Sequence, residues 1–325
     1  VLALLFFLLF SITPSGEARP QWYLIGTYVF ELVAYLSAAI LCFRNWKSPQ
    51  IVSGRQVWLA IGAGMLCYFL GGVFFGLWEL VWKLEAEVSL GDLFYIPTYL
   101  FLGWGMTLAV TSRRLNLEKW QWGIVAGIAA IGITLAYWIA SPGKPAQAAY
   151  PTDHGVAQTI IAQVPTTPAA KPAPKVPNPQ QTAKPKPAKP IAQPTGKTKP
   201  NTSPSSSSAP AWVLAIDEKL KPIEGPVSLF YIVSDVVLLI LATMLLLAFW
   251  GGRFSQSWRM IAAAALSLYI ADMWFKWAEN NVENYQSGSL PEVFWVFSGV
   301  LFAIGAALEY DTSSRSRRAG GRRRG

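Results

Sequence analysis

The sequence predicts an all-α, polytopic helical membrane protein. About seven transmembrane helices are expected, as two parallel three-helix repeats and one linking helix. The first observation behind this fold class is composition. The 325-residue chain is 53% hydrophobic and only 14% charged, whereas a soluble domain carries about a quarter charged residues. The second is a set of long apolar runs, and the third is a motif that occurs twice.

The apolar runs reach the ~20 residues that a helix needs to cross the hydrocarbon of a bilayer. Only helices and closed barrels satisfy their backbone polar groups in lipid, and the alternating ten-residue segments of a barrel are absent. We therefore expect membrane helices at residues 22–43, 57–80, 93–111, 120–140, 226–250, 257–277 and 291–309.

The repeated motif is Ser89-Leu-Gly-Asp-Leu-Phe-Tyr-Ile96, which returns as Ser289-Leu-Pro-Glu-Val-Phe-Trp-Val296. Each copy places a carboxylate, Asp92 or Glu292, at the start of an apolar run. We interpret the motif as an internal duplication. It predicts a first three-helix repeat at 22–111, a linking helix within 112–140 and a second repeat at 226–309.

Basic residues predict the orientation. They concentrate in the links 44–56, 112–119 and 251–259 and in the tail 310–325, so these regions are predicted to be cytoplasmic. We expect an inner or internal energy-converting membrane of a prokaryote. The tail serves either as a positive anchor or as a docking site for an acidic cytoplasmic partner or anionic lipid. Its arginines are Arg315, Arg317, Arg318, Arg322, Arg323 and Arg324.

Two segments outside the predicted spans have a different character. Residues 1–21 begin with a short apolar stretch that is either signal-like or part of an eighth span. Residues 141–225 contain a Pro/Lys/Ala-rich stretch, Ala169–Pro210, that has no acids and is predicted to be disordered and extracytoplasmic. It serves either as a solvated linker or as an arm for an acidic extracytoplasmic partner. Trp212–Leu220 is a candidate interfacial helix.

The sequence lacks the usual parts of a catalytic site. Its single histidine, His154, falls in the segment predicted to be disordered, which disfavours haem ligation, zinc hydrolysis and serine or cysteine catalysis. No phosphate-binding loop or dinucleotide fingerprint is present. We therefore predict a protein that is not an enzyme, with no cofactor and no specific nucleic-acid partner, while contacts with lipid or pigment stay open.

Ionisable residues inside the predicted spans are the candidate site. Such groups are costly in a membrane and usually face a bundle interior or a water-filled cavity. Asp272 and Lys276 are four residues apart, so they can pair on one helix face. One interpretation is an outward-facing pocket for a ligand or partner, and the other is polar contacts that hold helices together. The candidate residues are Glu31, Asp92, Tyr95, Tyr99, Asp235, Tyr269, Asp272 and Lys276.

The segment Asp92-Leu-Phe-Tyr95-Ile-Pro-Thr-Tyr99-Leu-Phe-Leu-Gly103 resembles a helix of known sensor regions. These are the seven- or eight-span N-terminal membrane regions of bacterial diguanylate cyclases and some histidine kinases. The resemblance implies perception of an extracytoplasmic or membrane signal. No cyclase or kinase domain follows the arginine-rich tail, so it also implies that the signal passes to a separate partner.

These observations predict a non-enzymatic membrane protein that senses a signal or scaffolds partners through protein contacts. The alternative is an accessory or assembly subunit of a larger membrane complex. A small carrier is a third interpretation, supported by the repeat and the intramembrane acids.

Overall fold

The computed structural model describes residues 1–12, 18–84, 88–112, 118–140, 209–249, 255–282 and 285–321. Among these residues the regular structure is helical and contains no strand. The α-helices are α1 (Leu2–Phe10), α2 (Gln21–Lys47), α3 (Arg55–Gly76), α4 (Asp92–Ser112), α5 (Lys119–Ala140), α6 (Ala211–Leu220), α7 (Glu224–Ala248), α8 (Ser255–Asn281) and α9 (Val293–Gly321).

In the described part of the chain, six helical segments are long and apolar enough to cross a membrane. They comprise α2, α3 with the π turn that follows it, α4, α5, α6 joined to α7, and α9. This result confirms the helical membrane class and matches six of the predicted spans. The seventh, at 257–277, lies in the 27-residue α8, whose Arg259, Asp272 and Lys276 lower its hydropathy. The count of seven spans therefore stays a prediction.

Six helices form a closed ring. Each packs on the next in the order α2, α3, α4, α7, α8 and α9, and α9 returns to α2. Helix α5 lies outside the ring against α7 and α8, while α1 packs on α2 and α9. We call the end of the ring at which α4 and α9 begin the cap end. The ring matters for function because it encloses the candidate site near this end.

Large apolar side chains fill the ring toward the opposite end. Trp58 near the start of α3 and Trp258 near the start of α8 are both fully buried, and their ring centroids are 6.1 Å apart. Leu102, Leu245 and Phe302 are also fully buried in this cluster.

Glycines allow the third helix of each predicted repeat to approach the second. A Cβ atom added at Gly105 of α4 would lie 3.0 Å from Ile61 of α3. One added at Gly305 of α9 would lie 2.7 Å from Ile261 and 3.1 Å from the Ser257 carbonyl oxygen of α8. Ser257 Oγ also donates a hydrogen bond of 2.8 Å to the Gly305 carbonyl.

We expect Gly305→Leu to destabilise the protein, because the new side chain would force α8 and α9 apart. Overpacking of this kind costs about 1–3 kcal/mol. Thermal unfolding in detergent measures the effect, with Gly103→Leu as the matched control, since no atom lies within 4 Å of a Cβ added at Gly103. Equal melting temperatures for the two variants would contradict this account of the interface.

The segments outside the ring are described in part. Residues 2–10 form α1, whose Phe7 is buried, and residues 211–220 form α6, whose Trp212 contacts Trp82 with ring centroids 5.7 Å apart. Helix α9 continues through Arg317 and Arg318 to Gly321. The predicted disordered stretch up to residue 208 and the last three tail arginines lie outside the described residues.

Arg315 of the predicted basic tail pairs within its own helix. Its Nε atom lies 2.9 Å from Asp311 Oδ2, one turn earlier on α9. Both side chains are more than half exposed, so this ion pair contributes little to stability.

Candidate functional site

A cavity of about 110 Å3 lies inside the ring near the cap end. Every helix of the ring contributes to its wall, and Phe7 of α1 also reaches it. A buried water needs ~10–15 Å3 of such space, so the cavity can hold several waters or a small polar molecule. Five carboxyl groups and one amine line it: Glu31, Asp92, Asp235, Asp272, Glu292 and Lys276.

The cavity brings together seven of the eight residues that the sequence singled out. These are Glu31, Asp92, Tyr95, Tyr99, Asp235, Asp272 and Lys276. They come from four helices that are far apart in the chain, so ring closure is what assembles them. Their role in binding a ligand stays a prediction.

Tyr269 does not line the cavity. Its hydroxyl donates a hydrogen bond of 3.0 Å to the Gly132 carbonyl of α5, outside the ring. Tyr68 in α3 does line the cavity, and it is close to the position that corresponds to Tyr269 when the two copies of the motif, 200 residues apart, are aligned. The position of α8 that lies 200 residues after Tyr68 is Leu268, one residue earlier. One residue rotates a side chain by about 100° around a helix, and Tyr269 therefore faces α5.

Asp92 caps the start of α4. Its Oδ2 atom accepts hydrogen bonds from the Ser89 backbone N–H at 2.6 Å and from Ser89 Oγ at 3.3 Å. The hydroxyl of Tyr231 in α7 donates to Oδ1. The serine and the acid three residues later thus form half of a reciprocal helix cap, while Tyr231 ties the start of α4 to the neighbouring helix.

Glu292 caps the start of α9 more completely. Its carboxylate accepts from the Gly288 N–H at 2.6 Å, the Ser289 N–H at 3.0 Å and Ser289 Oγ at 2.6 Å. The hydroxyl of Tyr285 also donates to it. Burial, and the neighbouring Glu292 carboxylate, raise the pKa of Tyr285, which therefore keeps the proton it donates.

Asp272 is held by donors from two other helices. Tyr99 of α4 donates to Oδ2 at 2.6 Å, and the indole N–H of Trp295 in α9 donates to Oδ1 at 2.7 Å. The expected pairing of Asp272 with Lys276 is not formed. Lys276 Nζ instead lies 2.8 Å from Glu279 Oε2, one turn further along α8 toward the cap end.

Asp235 differs from Asp92, Asp272 and Glu292. Its side chain is 1% exposed, and neither oxygen accepts a hydrogen bond from a described donor. Its polar neighbours are the Asp272 carboxyl and Tyr99, and the Tyr99 hydroxyl is already donated to Asp272. A buried carboxyl without a donor is costly, so its presence calls for an explanation.

Aromatic rings form most of the remaining wall. Tyr68 stacks on Tyr35 with ring centroids 3.7 Å apart, and Tyr95 packs edge-on against Tyr68 at 5.1 Å. Glu31 lies beside the Tyr68 hydroxyl. Tyr28 donates its hydroxyl proton to Glu79, which lies in the π turn Leu77–Val81 after α3.

The loop before α9 covers the cap end of the cavity, to which Ser287 contributes. Tyr23 of α2 donates a hydrogen bond of 2.7 Å to the Gly288 carbonyl, and Arg19 Nη1 donates to the Ser287 carbonyl at 2.7 Å. Gly288 has φ +93°, a conformation that glycine adopts without steric cost. These contacts fasten the loop to the start of α2.

Several cavity residues were missed by the sequence analysis. Tyr231 lies one turn before Asp235, and Trp295 occupies the place in its motif that Tyr95 has in the first copy. Both signals were present, because residues four apart share a helix face and the motif had been aligned. Glu292 was recognised in the motif but left out of the candidate site. Tyr28 carried no such signal.

The carboxyl groups are spread around the cavity wall. Among the described residues, no group of three or more His, Cys, Asp or Glu side chains is placed to hold a metal ion. In comparisons with protein-family models, curated proteins and solved structures, no match to this chain was found.

Proposed function

We propose that this chain is a non-enzymatic integral membrane protein that binds a small ligand in the cavity and thereby senses it. The observation that carries the proposal is the cavity itself, which six ring helices share. A ligand there would touch both predicted repeats at once. It would therefore favour one arrangement of the two over another, which is how binding energy shifts a conformational equilibrium.

We further propose that the two halves of the ring are the predicted repeats, related by an axis along the membrane normal. Support comes from residues that are 200 positions apart and have matching contacts. Gly105 packs on Ile61 as Gly305 packs on Ile261. Trp58 and Trp258 contact each other, as equivalent residues close to a twofold axis would. Helix α8 then counts as the seventh span.

The proposed orientation places the cap end outside and the arginine-rich tail in the cytoplasm, because the basic links lie on the side of the tail. Protease added to intact spheroplasts should then cut within Ala169–Pro210 and spare the C-terminus. Tags at residue 190 and at the C-terminus, read on immunoblots, measure this. The reverse cleavage pattern would overturn the orientation and would place the cavity near the cytoplasm.

The ligand-site proposal requires that water and small solutes reach the cavity. Thr27 lines it, so Thr27→Cys should react with 2-hydroxyethyl methanethiosulfonate, a neutral reagent that attacks ionised thiols. The background replaces Cys42 and Cys67, the two free cysteines, with alanine. The matched control is Val33→Cys on the outward face of α2, where the side chain is 59% exposed and is expected to meet lipid.

We expect Thr27→Cys to be labelled at least about tenfold faster than Val33→Cys, since a thiol ionises poorly in hydrocarbon. Equal or slower labelling would overturn the proposed function, because a sealed cavity cannot exchange a ligand. Mass spectrometry of the intact protein gives both rates.

A carrier is the second candidate. It is favoured by one observation, the buried Asp235 carboxyl without a donor in a cavity between the two halves. Flux across proteoliposomes separates the two functions, because a sensor binds its ligand without moving it. The accessory-subunit alternative predicts instead that gentle purification yields a stable stoichiometric complex.

A further inference from the structure

The cavity wall carries an excess of acidic groups. Five carboxyl groups line it and only one amine, that of Lys276. This amine is paired with Glu279 at 2.8 Å, and among the described residues it forms no ion pair with Asp235 or Asp272. Each of these carboxyl groups that ionises would repel an anionic ligand and attract a positive one.

The hydrogen atoms of several tyrosines are already committed to carboxylates. Tyr28 donates to Glu79, Tyr99 to Asp272 and Tyr231 to Asp92. A tyrosine hydroxyl has one hydrogen and two lone pairs, so these oxygens can only accept further hydrogen bonds. The wall is therefore rich in acceptors and poor in donors, and the complementary ligand is one that donates.

Asp235 supplies the point of attachment. It is almost completely buried, no described donor reaches either of its oxygens, and it lies beside the Asp272 carboxyl. A buried carboxyl ionises readily only when a cation pairs with it. Of the groups described around it, none provides that pairing, so a ligand cation next to Asp235 would complete the site.

Aromatic rings line the same cavity and point to an organic cation. The cavity is lined by Tyr68, Tyr95, Tyr99, Tyr231, Phe275 and Trp295. Ring faces attract a cation within about 6 Å, most strongly when it is desolvated, and such rings recognise quaternary ammonium groups. They also provide an apolar surface for a carbon skeleton, which a hydrated metal ion does not use.

We propose that the ligand is an organic ammonium ion, with its charged nitrogen beside Asp235 and Asp272 and its carbon skeleton among the aromatic rings. This inference rests on the proposed function, namely that the cavity is a ligand site. Three features together indicate this class of ligand: the buried Asp235 carboxyl, the tyrosine oxygens that accept hydrogen bonds and the aromatic wall.

The test uses pairs of molecules that differ in charge but little in shape. Choline is compared with 3,3-dimethyl-1-butanol, and benzylammonium with benzyl alcohol. Isothermal titration calorimetry of the full chain in nanodiscs, at constant ionic strength, gives the affinities. We expect at least one cation to bind at least about tenfold more tightly than its neutral partner, which corresponds to ~1.4 kcal/mol.

Asp235→Asn should weaken binding of that cation by about tenfold or more. The matched control is Asp217→Asn in α6, which removes a carboxylate that pairs with Lys221 outside the cavity and should leave binding unchanged. The melting temperature of each variant shows whether it remains folded. If Asp235→Asn does not fold, Asp235→Glu is measured in its place, and this variant should retain binding of the cation.

Three outcomes would overturn the inference. They are failure of both cations to bind, equal binding of the neutral partners, and cation binding that is indifferent to Asp235→Asn. An inhibition of cation binding by sodium or potassium with the affinity of a specific site would assign the position to an inorganic ion instead. The proposed function is decided separately, because labelling of Thr27→Cys uses a neutral reagent and does not depend on the charge of the ligand.

Discussion

Replacing Glu292 with alanine is expected to lower the free energy of unfolding by about 3–6 kcal/mol, because it leaves several buried donors without an acceptor, at ~1–3 kcal/mol each. The lost bonds come from the Gly288 and Ser289 N–H groups, Ser289 Oγ and the Tyr285 hydroxyl. Glu292 is 4% exposed, so the donors that it satisfies are largely buried. Chemical unfolding in detergent measures the loss.

Two control variants separate the cap from a general effect of charge. Glu292→Gln keeps one oxygen acceptor and should lose less stability than Glu292→Ala. Glu218→Ala removes an exposed carboxylate from α6 and should change stability by less than ~0.5 kcal/mol. A loss below about 1 kcal/mol for Glu292→Ala would mean that the loop before α9 is not held by this carboxylate, contrary to its hydrogen bonds.

The helical membrane class could be predicted because hydropathy acts locally. Each apolar run reports its own transfer into lipid, so six predicted spans coincide with helices that can cross a membrane. The run at 257–277 does not meet the hydropathy criterion for a membrane span. Helix α8 places Asp272 in the ring interior, where neighbouring helices supply hydrogen bonds, and composition alone does not register those partners.

The ring order could not be predicted, because it depends on contacts between distant parts of the chain. The contacts of α4 with α7 and of α2 with α9 close the ring. Nothing in the local pattern of these helices specifies their partners. A duplication limits the possibilities by requiring equivalent contacts, but it does not say whether the halves meet side by side or face each other.

The sequence predicted which acidic residues belong to the candidate site more successfully than it predicted their hydrogen-bond and ion-pair partners. Intramembrane carboxyl groups stand out against an apolar background, and Glu31, Asp235 and Asp272 all reach the cavity. The expected pair of Asp272 with Lys276 rested on spacing alone. Spacing allows a contact but does not exclude a better one, and here Tyr99 and Trp295 occupy the Asp272 oxygens while Glu279 takes the amine.

The same limit applies to the motif that occurs twice. It places a carboxylate at the mouth of each helix, but a carboxylate there can line a pocket, cap its helix, or do both. Asp92 and Glu292 line the cavity and also accept hydrogen bonds from the serines three residues earlier. Much of the motif is therefore explained by capping, whereas Asp235, which lies outside the motif, has Asp272 and Tyr99 as neighbours but accepts no hydrogen bond from a described donor.

Asp235→Asn is expected to make the protein more stable while abolishing its response in the cell. The variant removes a carboxyl that has no donor and lies beside Asp272. The asparagine amide can donate to the Asp272 carboxyl, and relief of an unsatisfied buried polar group amounts to about 1–3 kcal/mol. Unfolding in detergent and abundance in the membrane measure stability, and the cellular phenotype or ligand titration measures the response.

Asp272→Asn is the matched comparison, and it should have the opposite effect on stability. Both Asp272 oxygens accept hydrogen bonds, from Tyr99 and from Trp295, so an amide nitrogen in place of either oxygen would face a donor.

Glu31→Gln, on the opposite wall, should leave abundance nearly unchanged and abolish the response. If these acids merely hold helices together, Asp235→Asn should instead reduce stability by ~0.6–2 kcal/mol. A gain in stability with loss of response is the result expected where a group is retained at the expense of stability for its function, and only a ligand that pairs with Asp235 accounts for both changes.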